Sequence, residues 1–264
     1  MVIPARLESR RFPRKVLANE TGKYLVQHVW EAVRECPGIS RVIVATDSEE
    51  VARAVGSFGG EAFRTSPDHV SGTDRVAEVA RQLSEDIVIN LQGDEPLITH
   101  RDIRQLIDLF DEPPGGTWSA GPIHMTTLVS PRTDHEGFHD PNIVKAVIGR
   151  DGRALYFSRS AVPVTPLASQ SPAGGRERPS PSWLQHIGLY GYRRDFVLRF
   201  SELEPTPLEK RERLEQLRAL ENGFVIRVGE ARGRHVGIDT EGEYRSFVED
   251  YLREKSSPLG VSSR

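Results

Sequence analysis

Cysteine is almost missing from this 264-residue chain; Cys36 is the single thiol. An intramolecular disulfide framework is therefore excluded, a reducing compartment is the expected setting, and Cys36 itself reads as helix-end packing. No run approaches the ~20 consecutive apolar residues that a membrane span requires, and Met1 leads into a strand-like VIPA rather than a basic-then-apolar leader. The expectation is a soluble, cytoplasmic protein without a membrane partner. A positive excess is lacking too: 35 Lys and Arg stand against 38 Asp and Glu, for a net charge of −3. That balance excludes a global field for nucleic acid, so any anion site has to be local. Both common phosphate loops are absent, since no G-x-x-x-x-G-K-[ST] occurs and no G-x-G-x-x-G follows the first apolar run. No internal repeat is present.

What is present suits one enzyme-sized globular unit, with 37% hydrophobic residues available for a core. Through the first half, apolar runs alternate with helix-period stretches. Residues 1–5 read as a buried strand. From Tyr24 to Glu35, the residues Leu25, Val26, Val29, Trp30 and Val33 fall on one helical face, and RVIVATD follows as another buried strand. TDSEEVARAV offers Asp47 and Glu50 as a capping box, SGTDRVAEVARQL repeats the device with Ser71 and Asp74, and DIVINLQ supplies a strand ahead of GDEP. This rhythm predicts a mostly parallel sheet with helices on both faces and a ligand beyond the carboxyl ends of the strands.

The second half differs. IVKAVIGRDGRALYF is two β-rich runs joined through Asp151-Gly152, a hairpin signal, and LQHIGLYGYR is a third strand, so antiparallel pairing is expected. Between them, VTPLASQSPAGGRERPSPS has Pro, Gly and Ser without periodicity, and residues 165–182 read as a loop over the site or a surface excursion. TPLEKRERLEQLRAL reads as one charged amphipathic helix, FVIRV as a strand and residues 241–255 as a closing helix, with 256–264 a frayed tail.

Three stretches carry chemistry. IPARLESRRFPRK packs Arg6, Arg10, Arg11, Arg14 and Lys15 against one acid, Glu8, directly behind the first strand. A strand end, an arginine-rich loop and a helix bring backbone N–H groups and cations to one sheet edge, which suits a polyphosphate: Arg forks onto phosphate oxygens while Lys acts as a point charge. A solvated basic loop is the competing account. INLQGDEP puts Asp94 and Glu95 where a buried strand emerges, hard oxygen ligands of the kind Mg²⁺ takes together with phosphate oxygens. Asp239 in HVGIDTEGEY is the matching second carboxylate, or else the cap of the last helix. In QHIGLYGYR, His186 and Tyr190 share a strand face, so His186 either binds an acidic substrate or is a buried structural histidine.

Taken together, IPAR…SRRFPRK, VIVATD, SGTDR, VINLQGDEP, DPNIVKAV, ALYFSR, HIGLYGYR, LEQLR and GIDT resemble, in order and from Met1 to about Tyr251, the 3-deoxy-manno-octulosonate cytidylyltransferases, or CMP-Kdo synthetases. QGDEP is shared with other sugar nucleotidyltransferases; ALYFSR, HIGLYGYR and LEQLR narrow the resemblance. It implies an α/β, Rossmann-like nucleotidyltransferase fold, a three-layer α/β/α single domain over 1–255, with a β-rich excursion at roughly 118–193 that forms a homodimer contact and part of a sugar pocket. The implied reaction joins CTP and the acidic eight-carbon sugar Kdo, with Mg²⁺ as cofactor, to give CMP-Kdo and pyrophosphate for lipopolysaccharide synthesis. An 8-amino-Kdo or sialic acid enzyme, or an inactive nucleotide-binding relative, is the alternative.

By that resemblance Arg6, Ser9, Arg11 and Lys15 meet the triphosphate, with Lys15, Arg11 and Asp94 closest to the chemistry. Ser71 and Arg75 of the SGTDR loop help hold the cytidine, and Asp94 and Asp239 hold Mg²⁺. Gln92, Arg159, His186, Tyr190, Glu215 and Gln216 line the sugar pocket. The chain departs from the family pattern in having Arg14 where glycine is common, Tyr24 where proline is common, and DTEGEY in place of DTPED. Arg10 is expected to face solvent.

Overall fold

The computed structural model describes residues 1–9, 11–111, 121–164, 182–233, 235 and 237–256. The expectations for Arg10, for nearly all of the 165–182 loop and for the 256–264 tail beyond Ser256 lie outside them. The chain forms two compact units, one from Met1–Gln105, Leu189–Ser201 and Gly233–Arg264, the other from Leu106–Gly188 and Glu202–Arg232.

The first unit opens on β1 (Val2–Pro4) and runs through α1 (Leu25–Val33), β2 (Ile43–Thr46), α2 (Glu49–Ser57), β3 (Glu61–Arg64), α3 (Gly72–Ala80) and β4 (Ile87–Asn90), with α4 (His100–Asp108) leading out of it. Its strands lie in the order β3-β2-β1-β4 and are parallel throughout. β1 and β2 are buried at every position, as apolar runs flanked by helices must be. On α1, Leu25, Val26, Val29 and Val33 are fully buried, each stabilising by roughly 1.5–3 kcal/mol. α3 starts with the expected capping box: Ser71 accepts from the Asp74 N–H and Asp74 from the Ser71 N–H, both at 3.1 Å. The other box is corrected. Ser48, not Asp47, caps α2 by accepting from the Val51 N–H at 3.3 Å, because Asp47 is drawn off to Arg75.

The second unit contains β5 (Met125–Arg132), α5 (His135–His139), β6 (Lys145–Ile148), β7 (Ala154–Ser158) and the first part of β8 (Trp183–Arg193), a strand whose later residues, with α6 (Arg194–Phe200), belong to the first unit. It continues with α7 (Pro207–Glu212), α8 (Gln216–Glu221) and β9 (Ile226–Glu230). β6 and β7 form the expected antiparallel hairpin, with Gly152 at φ 81 in the turn, a conformation that favours glycine. β6 also pairs antiparallel with β8 through Lys145↔Gln185, while β5 and β9 run parallel. In the first unit, the later residues of β8 run antiparallel to β4, with Asn90 opposite Tyr190.

The single charged helix expected over TPLEKRERLEQLRAL is two short helices. Arg213 adopts φ 55 and ends α7, and the chain restarts as α8 three residues on. The break lets Glu209 reach Arg218, whose guanidinium forks onto the carboxylate at 2.8 and 2.5 Å with both side chains buried. In the first unit α9 (Glu241–Ser256) closes the described chain.

Candidate active site

Two loops at the carboxyl ends of parallel strands and the segment before α9 meet in the first unit. The loop after β1 enters a short 3-10 turn at Lys15–Leu17, the loop after β4 carries Gln92, Gly93 and Asp94, and Asp239 precedes α9. Gly93 is favoured by close approach, since a Cβ there would lie 3.1 Å from the Pro4 carbonyl oxygen. That contact sets the Asp94 loop against the end of β1. α9 is fastened to the basic loop by an apolar cluster of Leu25, Ile238, Tyr244 and Val248 with Phe12 and Phe247 packed on it. The Phe12 and Tyr244 rings are 5.4 Å apart, and the Tyr244 hydroxyl accepts from the Glu20 N–H at 2.9 Å.

At the meeting point, Lys15 Nζ lies 2.5 Å from Asp94 Oδ2 and 3.1 Å from Asp239 Oδ1. Arg11 Nη2 reaches the same Asp239 oxygen at 2.8 Å. Lys15 is nearly buried while Arg11 is open to solvent, so the pair offers one fixed cation and one adaptable one. Asp239 does not cap α9. Thr240 does, its hydroxyl accepting from the Glu243 N–H at 3.2 Å, while the Glu243 carboxylate takes the Asp239 and Thr240 N–H groups at 2.8 Å each. The competing capping account is removed, and both Asp239 oxygens remain available to the site.

Glu95 stands behind Asp94. Its Oε2 is buried and meets no hydrogen-bond donor among the described residues. Burial, reinforced by the Asp94 and Asp239 charges against the pull of His235 and Lys15, pushes its carboxyl up to about 7. Near neutrality it is partly protonated, which limits the negative charge crowded beside Asp94.

The remaining expected nucleotide residues fall into two groups. Arg6 is half-buried and donates to the His69 carbonyl at 3.0 Å, close in sequence to Ser71 at the start of α3, and Ser9 lies half-exposed on the basic loop. Arg75 is different. It is fully buried, bound to Asp47 Oδ2 at 2.8 Å and to the Thr65 hydroxyl, so it braces α3 from behind instead of projecting toward a ligand. Arg14 also departs from the charge-cluster picture. It holds φ 59, the left-handed region that glycine fills without strain, and its guanidinium pairs with Glu50 on α2.

Of the expected sugar-pocket residues, Gln92 and Tyr190 lie in the first unit, and Gln92 donates to Asn90 Oδ1 at 3.1 Å. Arg159, His186, Glu215 and Gln216 lie in the second. His186 is buried, edge-on to Phe157 at 4.8 Å between centroids, with Nε2 3.0 Å from the Thr127 hydroxyl. Burial drives its pKa down to about 3, so the ring is neutral in the physiological range. The Thr127 hydroxyl also donates to the Ile187 carbonyl at 3.2 Å. Of the two readings of His186, the geometry matches the buried, hydrogen-bonded histidine, and the uncharged ring has no charge to pair with a carboxylate. Arg159 donates Nε to the Glu212 carbonyl at 2.8 Å and Nη1 to the Pro141 carbonyl at 3.0 Å. Glu215 precedes α8 and Gln216, its first residue, is buried.

Parallel strands with a basic loop after β1 and paired carboxylates define a nucleotidyltransferase by fold and site. The cytidylyltransferase family model matches residues 1–232. Relatives named 3-deoxy-manno-octulosonate cytidylyltransferase from Geobacter metallireducens (46% identical, 96% of this chain and 97% of that one) and Pelobacter propionicus (47%, 90% and 91%) match over most of their length. A solved structure of CMP:2-keto-3-deoxy-manno-octonic acid synthetase complexed with CTP is 37% identical, with a TM-score of 0.83, covering 96% of this chain and 98% of that one. The inositol-1-phosphate CTP transferase of T. maritima, at 14% identity and a TM-score of 0.63, shares the fold. The chain belongs to the cytidylyltransferases, and among them to the 3-deoxy-manno-octulosonate cytidylyltransferase family.

Proposed function

We propose that this chain transfers the cytidylyl group of CTP to 3-deoxy-D-manno-octulosonate, releasing pyrophosphate and supplying CMP-Kdo to lipopolysaccharide synthesis. The observation that carries the proposal is Lys15 set between Asp94 and Asp239 at the carboxyl ends of the parallel strands, in a chain 46% identical to a relative named for that activity.

Asp94 and Asp239 suit Mg²⁺ by the chemistry of their donors. They are hard carboxylates within 3.1 Å of one nitrogen, and two such ligands leave coordination positions for phosphate oxygens and water. When bound, the ion supplies Lewis-acid polarisation of substrate oxygens and offsets phosphate charge. The chain's own groups do the rest. Arg6, Ser9, Arg11 and Lys15 hold the triphosphate, Ser71 orders the start of α3 beside the cytidine, and Arg75 keeps α3 in place. The anomeric oxygen of the sugar forms its bond to the α-phosphorus as the bond to the β-phosphate oxygen breaks, and the hydroxyl proton is lost to water. Negative charge grows on the leaving pyrophosphate, where Lys15 and Arg11 absorb it. Positioning and charge neutralisation suffice, with no covalent enzyme intermediate. Arg159, His186, Glu215 and Gln216 of the second unit are the residues for the sugar acid in this reading. Homodimer formation fits the β6–β7 hairpin, whose Ile148 and Leu155 are exposed apolar side chains. Among the described residues no helix is long and apolar enough to cross a membrane; a cytoplasmic location is part of this proposal.

A pyrophosphate-release assay over a panel of sugar acids tests this. Release with CTP, Kdo and Mg²⁺ together, and with none of the three omitted, is expected. Faster turnover with the 8-amino analogue or a sialic acid would reassign the sugar, and CTP binding without turnover on any sugar would make the protein a nucleotide binder.

A further inference from the structure

The second unit holds a charged junction that the proposed chemistry does not use. Glu212, the last residue of α7, collects four hydrogen bonds. Its Oε1 accepts from the Ser158 hydroxyl at 2.8 Å and the Tyr156 hydroxyl at 3.3 Å, and its Oε2 accepts from the Arg159 N–H at 2.9 Å. Its backbone carbonyl takes Arg159 Nε at 2.8 Å. A carboxylate is acceptor-only, so it takes the donor-only Arg159 N–H and both hydroxyls at once, with the charge strengthening each bond. Burial alone would raise its pKa, but the bonds from Arg159, Ser158 and Tyr156 outweigh that and hold the carboxyl below its usual range.

What Glu212 joins is informative. Arg159 is pinned a second time through its carbonyl, which accepts from the buried Lys145 Nζ at 3.1 Å, and a third time through Pro141. On the other side of Glu212, Arg213 at φ 55 turns the chain and Leu214 is buried, so Glu215 and Gln216 follow at a fixed corner. One carboxylate thus ties the end of β7, with Arg159, to the corner that carries Glu215 and Gln216. Ion-pair and hydrogen-bond hubs of this kind are poor sources of net stability and better explained by the geometry they impose.

We propose that Glu212 is a positioning residue for the acidic sugar: it sets Arg159 relative to Glu215 and Gln216, and so governs the sugar's KM without touching it. The proposal rests on the reading that Arg159, Glu215 and Gln216 face the sugar. Glu212→Gln keeps the size and an acceptor for the Arg159 N–H but loses the charge and turns an NH2 group toward the Ser158 and Tyr156 hydroxyls, while Tyr156→Phe and Ser158→Ala each remove one of the carboxylate's bonds, the latter also the acceptor of the Ser160 N–H.

Steady-state kinetics with Kdo and CTP varied separately test it, alongside the direct variants Arg159→Ala and Gln216→Ala. Glu212→Gln is expected to raise the Kdo KM on the order of tenfold, the equivalent of one charged hydrogen bond, with the CTP KM unchanged. Ser158→Ala and Tyr156→Phe are expected to move the Kdo KM the same way by a few-fold, and they carry the test if Glu212→Gln does not fold. A raised Kdo KM in Gln216→Ala but not in the Glu212, Ser158 and Tyr156 variants would overturn the proposal while leaving the sugar assignment standing. No effect in Arg159→Ala and Gln216→Ala would remove the sugar assignment and the proposal with it. Equal losses for CTP and Kdo in Glu212→Gln would show a general structural role and also overturn it.

Discussion

The Lys15 ammonium lies 2.5 Å from Asp94 Oδ2, joining a loop that follows the first strand to one that follows the fourth. With Asp239 on its other side, this nitrogen balances two carboxylates that arrive from distant parts of the sequence. Lys15→Met removes the charge and keeps the length. Turnover is expected to fall on the order of 10²–10³-fold, and stability by about 1–3 kcal/mol as the carboxylates lose their partner. Urea denaturation and single-turnover kinetics measure the two separately.

Arg14 is a different kind of cation. Its left-handed φ of 59 turns the basic loop into the 3-10 turn, and its pairing with Glu50 ties it to α2. Arg14→Gly relieves the backbone at the cost of unfolded-state entropy, so Tm is expected to move by no more than about 2 °C, with the CTP KM unchanged. A marked rise in that KM would put Arg14 among the triphosphate contacts.

Thr240 holds the start of α9 and, through Glu243, the backbone N–H of Asp239. Thr240→Ala is expected to cost about 1 kcal/mol and to lower kcat several-fold by loosening Asp239. Thr240→Ser should restore both, which calorimetry and steady-state rates will show.

His186 makes stability depend on acid. Its pKa falls from the ordinary 6.5 to about 3 on folding, so between those values the unfolded chain binds a proton that the folded chain refuses. Stability from this group is complete above pH 6.5 and declines as the pH drops through the window. His186→Gln is expected to flatten that part of the curve by on the order of 2–4 kcal/mol, measured as unfolding free energy at pH 4 and pH 7 in about the same buffer ionic strength.

Much of this was legible in the chain. Period and burial coincide in α1 and β2 because fully buried faces leave continuous apolar marks, and the Ser71–Asp74 box formed as its spacing implied. Asp94 was legible as an acid where a strand emerges, and Asp239 as one between an apolar run and a helix. Their shared attachment to Lys15 is a contact across 79 and 224 residues, which no local pattern encodes. The Thr240–Glu243 box was present as T-x-x-E, yet Asp239 beside it was the more conspicuous cap. The break at Arg213 escaped because nothing in KRERLEQ marks a left-handed residue. Arg75 and Asp47 show the same limit: a cation in the loop expected to hold the cytidine and an acid in a capping position are bound to each other once folded.

The most direct test of the account is turnover in Asp94→Asn and Asp239→Asn, each nearly isosteric with the acid it replaces. With CTP, Kdo and Mg²⁺ present, pyrophosphate release is expected to drop to background in both variants while circular dichroism matches the parent protein. Release near the parent rate in either one would contradict the paired-carboxylate centre.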